Sequence, residues 1–282
     1  MQPREPSRTA RATATLRAAH QELDGGRVLR DPLAAAMLGQ DGEEVGRDGG
    51  AEDRWRAFRL FVAARARFAE DCLATAVRRH GVRQLVVLGA GLDTFAYRNP
   101  HEAAGLRVFE VDHPATQEWK RRRLAAAGIA PPASLTFAPV DFERTDLPAG
   151  LAAAGFDPGR PAFFSWLGVV AYLDAGTVRS VLAWIAALPG GAEVVFDYTK
   201  PPALMTPEQR AAHEARAALV AAAGEPFVTS LDPGALAADL RALGFTACED
   251  LGPGEVVGRY LDDAAGGASA EHMMRAGRLG AA

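Results

Sequence analysis

The sequence predicts an α/β fold, a mostly parallel sheet with helices on both faces. Three observations predict it. Short apolar runs of strand length alternate with longer segments of helical periodicity, the order that βαβ units produce. The first such run, 84–88, ends at Gly89-Ala90-Gly91. Glycine suits a sharp turn over a sheet edge, because it tolerates unusual backbone angles and keeps no side chain between backbone and ligand. The second run ends in Asp112, about 20 residues beyond the glycine turn, the spacing at which the acid of a nucleotide-binding unit meets ribose hydroxyls.

Taken in order, residues 9–23 predict an Ala-rich helix carrying Arg11, Arg17 and His20, ended by Asp24-Gly25-Gly26. Asp31 caps a short helix through 38, with Pro32 in its first turn. The acidic, Gly-rich stretch 40–50 predicts a loop. A long helix, 52–80, places Phe58, Phe61, Val62, Phe68, Cys72, Leu73, Ala76 and Val77 on one face. Strands are expected at 84–88, 106–111, 134–137, 161–167 and 193–198. Pro114 opens a helix to 127, and Asp174 caps another to 188. Thr206-Pro207-Glu208 starts a helix to 223, and Asp232-Pro233 caps one that Gly244 stops. Residues 245–251 and 270–278 predict two last strands with no evident helix between them, hence an antiparallel end to a seven-stranded sheet.

Composition narrows the function. In 282 residues the apolar fraction is 49%, enough for one large core with an appended cap. The net charge of −4 and the absence of a basic patch beyond Lys120–Arg123 argue against nucleic acid. That run is expected on the solvated face of a helix. Cys72 and Cys248, far apart in apolar surroundings, predict buried thiols in a reducing compartment, not a disulfide or a metal site. No apolar run nears the ~20 residues of a membrane span, and the N-terminus has no apolar signal core. A cytoplasmic protein is expected.

The glycine turn also excludes ligands. A dinucleotide fingerprint needs glycine where Thr94 stands, and Asp93 turns negative charge toward the place of a pyrophosphate. Such a loop suits an adenosine ligand without phosphates and with a cationic tail, which describes S-adenosylmethionine. Asp141, after the third strand, is placed to accept from an adenine amino group or to cap its loop. Arg65 falls close to the apolar face of the long helix. It either packs its stem and reaches water, or points at a ligand carboxylate.

The stretches VLGAGLDTFAYR, VFEVDHPATQEWKRRRL and VDF resemble class I S-adenosylmethionine-dependent methyltransferases, and more narrowly the leucine carboxyl methyltransferase-like family with its bacterial relatives of unknown substrate. TARATATLRAAHQ, DPLAAAML, AARARFAEDCL and FVTSLDPGALAADLRALGF fit as well. The resemblance implies a Rossmann-like methyltransferase domain at 51–282, forming one structural unit with a helical cap segment at 1–50. It implies that Gly89, Ala90, Gly91 and Asp93 cradle the methionine end of the cofactor. Asp112 then holds the ribose, and Asp141 with Phe142 brackets the adenine. Arg65 matches the arginine that binds the cofactor carboxylate, with Arg67 as the alternative. The family carries glutamate in an E-x-x-L-x-Y-like motif after the fourth strand. Here SWLGVVAYL puts Leu167 in its place and retains Tyr172.

The expected reaction is O-methyl transfer to a carboxyl or hydroxyl group of a small molecule or peptide. The donor is already activated, so positioning in line dominates. A carboxylate needs no base, whereas a hydroxyl does. His20 and Tyr172 are the candidates for catalytic roles. His113 is either a base or a packed turn residue, Tyr198 either a site residue or core, and Arg17 either an acceptor ligand or solvated. A nicotinamide-dependent oxidoreductase and a non-catalytic binding protein remain as alternatives.

Overall fold

The computed structural model describes residues 7–39, 52–141, 146–262 and 269–280. Its elements run α1 (Arg8–Leu23), α2 (Ala34–Leu38), α3 (Glu52–Arg79), β1 (Gln84–Leu88), β2 (Arg107–Asp112), α4 (Pro114–Ala126), β3 (Leu135–Pro139), α5 (Leu147–Ala153), β4 (Ala162–Trp166), α6 (Ala175–Ala186), β5 (Ala192–Thr199), α7 (Pro207–Ala222), α8 (Pro233–Ala242), β6 (Ala247–Leu251), α9 (Pro253–Gly258) and β7 (Glu271–Arg278). They build a seven-stranded sheet of order β3-β2-β1-β4-β5-β7-β6. The first five strands pair in parallel, with Val86 opposite both Phe109 and Phe164. β7 runs antiparallel to β5 and β6, the expected antiparallel end.

The strand order reverses at β1. The chain leaves through β2 and β3, then returns to the other side of β1 as β4. Such a reversal parts the loops at the carboxyl edge and leaves a crevice for ligand.

Alternation along the strands feeds two cores. Val86, Leu88, Phe109, Val111, Phe164 and Trp166 pack with α6 and α8 on one face. Leu85, Val87, Phe163 and Val195 meet Phe61, Phe68 and Leu73 of α3 on the other. Each fully buried Leu or Phe there contributes about 1.5–3 kcal/mol. A third cluster joins Ala14 and Ala18 of α1 and Met37 of α2 to Leu92 of the glycine turn and Leu124 of α4. The N-terminal helices are therefore seated on the carboxyl edge of the sheet. No helix among the described residues is long and apolar enough to cross a membrane.

Helix starts follow the expected caps. The Asp174 carboxylate accepts from Thr177 N (3.0 Å), Asp232 from Ala235 N (2.9 Å), and Thr206 forms a capping box with Gln209. Four expectations are corrected. α2 begins at Ala34, later than expected: the Asp31 carboxylate does accept from Leu33 N (3.2 Å) as a cap would, but 32 and 33 form a turn ahead of the helix, and its other oxygen takes the Thr94 hydroxyl (2.7 Å). α9 does stand between the last two strands, and α5 precedes β4; at six and seven residues neither shows periodicity. The basic run is not wholly solvated. Arg121 and Arg122 are exposed, but Lys120 faces the sheet and pairs with buried Glu110 at 2.7 Å. α4 lies over β2 and β3, so one position per turn must point inward, and Gln117, Lys120 and Leu124 occupy that stripe. Of the cysteines, Cys72 is buried and Cys248 only partly so; both are free.

Candidate functional site

A cavity of about 770 Å³ lies over the carboxyl ends of β1 to β4, walled by α1, by the turn after β4 and by residues 224–228. The glycine turn forms its floor. Gly89 and Gly91 hold φ of +66° and +44°, a region that favours glycine. A Cβ on Gly89 would stand 2.4 Å from Val169 Cγ2, and one on Gly91 would touch Ala10 at 3.4 Å. The backbone is bare here because α1 and the β4 turn approach it closely.

Asp112 ends β2 with its carboxylate on the cavity wall. Oδ2 accepts from Gly91 N at 2.6 Å and Oδ1 from His113 N at 2.7 Å. Burial nevertheless raises its pKa above the ordinary carboxylate value, and these two bonds only partly offset that. A diol donating to the same oxygens would supply what burial removed. Asp141, past β3, also lines the cavity, 3.7 Å from His113 Nε2. Phe142 lies outside the described residues.

Asp93 lines the cavity with its charge partly matched. Oδ1 accepts from Phe95 N at 2.8 Å, and Oδ2 stands 3.4 Å from Arg17 Nη1. Arg17 also donates to Leu92 O and is buried. It staples α1 to the glycine turn, so the solvated reading does not hold. Thr94, where a dinucleotide fingerprint needs glycine, is fully buried and donates to Asp31 (2.7 Å). Thr94 thus anchors the N-terminal segment.

Arg65 is buried and lines the cavity, with Nη1 2.7 Å from Asp197 Oδ2. Asp197, at the end of β5, also accepts from Gly168 N at 2.6 Å. Gly168 has φ of +72°, and a Cβ there would lie 2.9 Å from the Arg65 guanidinium. Arg67 instead is exposed and pairs with Asp71, away from the cavity. Leu167 and Tyr172 both line the wall after β4. Burial raises the Tyr172 phenol, and its ring packs on Phe227 at 5.4 Å between centroids.

Other candidates separate clearly. His20 is fully buried outside the cavity; Nδ1 meets Asp24 Oδ2 at 2.9 Å, while Nε2 accepts from Val28 N and Leu29 N. Both ring nitrogens are occupied in closing the turn after α1, which corrects the expectation of a catalytic histidine there. Tyr198 is core, its hydroxyl donating to Asp250 at 2.9 Å. His113 lines the cavity as the cap of α4, accepting from Ala115 N at 3.1 Å. Two participants escaped the sequence reading. Asp197 and Glu225 approach the site only through pairing across 132 and more than 200 positions, and no local pattern marks either.

Among the described residues no group of acidic, histidine or cysteine side chains is arranged to hold a metal.

Comparison with known proteins identifies the family. The family profile described as leucine carboxyl methyltransferase matches residues 10–186. A candidate S-adenosyl-L-methionine-dependent methyltransferase of Mycolicibacterium smegmatis is 32% identical over 249 residues, covering 88% of this chain and 74% of that protein. A Bacillus subtilis protein of the same description, YktD, is 34% identical over 194 residues, covering 68% of this chain and 63% of its own length. Less than two thirds of the Bacillus protein is thus spanned. The fold is shared with a solved candidate methyltransferase of Thermobifida fusca, at a TM-score of 0.59, 18% identity, and coverage of 98% and 96% of the two chains. The profile takes in the α1 helix, the glycine turn, Asp112, Asp141 and the turn after β4, and with it the chain belongs to the leucine carboxyl methyltransferase family of S-adenosylmethionine-dependent methyltransferases.

Proposed function

We propose that this protein is an S-adenosylmethionine-dependent O-methyltransferase acting on a carboxyl or hydroxyl group of a small molecule or peptide. The observation that carries the reading is the bare Gly89–Gly91 turn beside the Asp112 carboxylate, at the point where the strand order reverses. Along the sheet edge Asp141, Asp112, the glycine turn and Arg65 succeed one another, the order in which adenine, ribose and the methionine tail would lie. Asp112 would accept from the ribose hydroxyls, Asp141 from the adenine amino group, and Arg65 would face the methionine carboxylate. Asp93 would oppose the ammonium and sulfonium charges. Four carboxylates and two arginines, Arg17 and Arg65, line the cavity among the described residues, a balance that favours a cationic ligand.

When bound, S-adenosylmethionine supplies a methyl group already activated by positive sulfur. The chain's task is to hold the acceptor oxygen in line and keep water out. α1 and residues 224–228 also wall the cavity, and we assign the acceptor to the part that they enclose. Residues 1–50 then act as a cap whose described part carries acceptor contacts. Tyr172, which lines the cavity, would orient a polar acceptor.

Leu167 favours a second reading. An aliphatic side chain lines the wall where the family carries glutamate, which suits a relative that binds the cofactor without transferring its methyl. Calorimetric titration with S-adenosylhomocysteine and, separately, with NAD tests the ligand; transfer of radiolabelled methyl into a cell extract tests turnover. Micromolar S-adenosylhomocysteine binding is expected, and no binding at millimolar ligand would remove both readings. Binding without any transfer would select the second.

A further inference from the structure

β4 carries one hydroxyl, and it sits where an apolar side chain is expected. Toward α3 the strand and the turn after it present Phe163, Ser165 and Leu167, and the residues on either side of Ser165 pack in the core that α3 covers. Ser165 stands opposite Val87 of β1, two positions before Gly89. It is the one residue of β4 that is only partly buried, and its hydroxyl has no hydrogen-bond partner among the described residues. A hydroxyl set among apolar groups without a partner is costly, and such a group calls for a ligand or water.

Ser165 faces a recess of about 30 Å³ beside the glycine turn, room for a group of water size. Ala66, Val87, Asp93, Ser165 and Leu167 line both this recess and the large cavity, so the one leads off the other. Its other polar wall is Glu70 of α3, and among the described residues no lysine, arginine or histidine lines it. The Glu70 oxygens accept from Arg98 Nη1 (3.0 Å) and Nη2 (2.5 Å), which fix the carboxylate and leave each oxygen able to accept once more. Burial raises the Glu70 pKa above the ordinary glutamate value in spite of Arg98, and Asp93 and Asp31 add to the rise, so the surroundings are short of positive charge.

A small cation with several N–H donors answers each of these features. We propose, resting on the S-adenosylmethionine reading above, that the recess receives the ammonium of the cofactor's methionine end, held by the Ser165 hydroxyl and by the Glu70 and Asp93 carboxylates. An ammonium has three donors, and these are three acceptors. Arg98 acts through Glu70 as a positioning residue. With Arg65 facing the methionine carboxylate, α3 supplies a partner to each charge of the amino-acid group. Leu167 walls the same recess, so negative charge absent from that position is provided by Glu70 across from it.

The test compares S-adenosylhomocysteine with its deaminated counterpart, in which hydrogen replaces the amino group. Titration calorimetry measures both on the full chain, on Ser165→Ala and on Glu70→Gln. Wild type is expected to prefer the amino ligand roughly 10- to 150-fold, the range of one hydrogen bond to a charged group. Each variant is expected to narrow that preference by about three- to tenfold, with the deaminated ligand held within about twofold of its wild-type Kd. A merely structural role would weaken both ligands alike and leave the ratio unmoved. Circular dichroism checks the fold; if Glu70→Gln is unfolded through loss of the Arg98 pair, Ser165→Ala decides. Equal binding of the two ligands by wild type, or an unchanged ratio in folded Ser165→Ala, overturns the proposal and leaves the cofactor reading standing. Failure of wild type to bind S-adenosylhomocysteine at all overturns the cofactor reading and the proposal with it.

Discussion

Replacing Asp112 by asparagine probes the sugar contact and the turn together. The two carboxylate oxygens accept from Gly91 N at 2.6 Å and His113 N at 2.7 Å. An asparagine has one oxygen, so one of these N–H groups comes to face an NH2. Leaving a buried donor unpaired costs about 1–3 kcal/mol, and at roughly 2–4 °C per kcal/mol for a chain of this size the melting temperature falls by about 2–12 °C. The lost charge acts on the ligand. A hydrogen bond to a charged acceptor contributes about 1.5–3 kcal/mol and a neutral one about 0.5–1.5 kcal/mol. Two ribose hydroxyls therefore lose about 2–3 kcal/mol between them, and the Kd for S-adenosylhomocysteine rises roughly 30- to 150-fold. Titration calorimetry reads the Kd and circular dichroism the melt. A variant that melts lower yet binds with unchanged Kd would refute the argument, because the sugar would then lie away from Asp112.

Three further outcomes follow from the packing. Lys120→Met leaves Glu110 without its buried partner and lowers stability at pH 8 by about 3–5 kcal/mol. Burial pushes the Glu110 carboxyl from 4.5 up to about 7. The folded chain thus holds this proton more tightly than the unfolded one, and the associated stability is complete below pH 4.5 and is lost as pH rises through about 7. The deficit of the variant should be smaller at pH 5 than at pH 8, and denaturant melts showing equal deficits would contradict this. Gly168→Ala forces a side chain into the left-handed region, at about 1–2 kcal/mol, and pushes on Arg65; a lower melt accompanied by weaker S-adenosylhomocysteine binding is expected, and unchanged binding would detach Arg65 from the cofactor. His20→Ala unpairs Val28 N and Leu29 N, destabilising by about 1–3 kcal/mol. Its Kd for S-adenosylhomocysteine should stay within twofold of wild type, and a large change at constant stability would return His20 to the site.

The seven strands, the longer helices, the glycine turn and the acid that ends β2 were legible from sequence, because each rests on local periodicity, capping or short spacing, whereas the short α5 and α9 carry no periodicity and were not. The antiparallel end was legible as well, from two strand-like runs near the C-terminus. What escaped was set by contacts between distant positions. The inward stripe of α4 made Lys120 a buried partner of Glu110, although its neighbours Arg121 and Arg122 are exposed. His20, on a helix that walls the cavity, was turned instead into the following loop by Asp24 and two backbone amides. Thr94 and Arg17 became the anchors of α1 on the turn, and Arg65 found Asp197 from β5. Glu225 reached the start of α1 across more than 200 residues. Which face of a helix meets which strand edge is decided by packing of the whole chain. For that reason the glycine turn and Asp112 were legible in the sequence, while the walls that α1 and residues 224–228 add to the cavity came from packing of the whole chain.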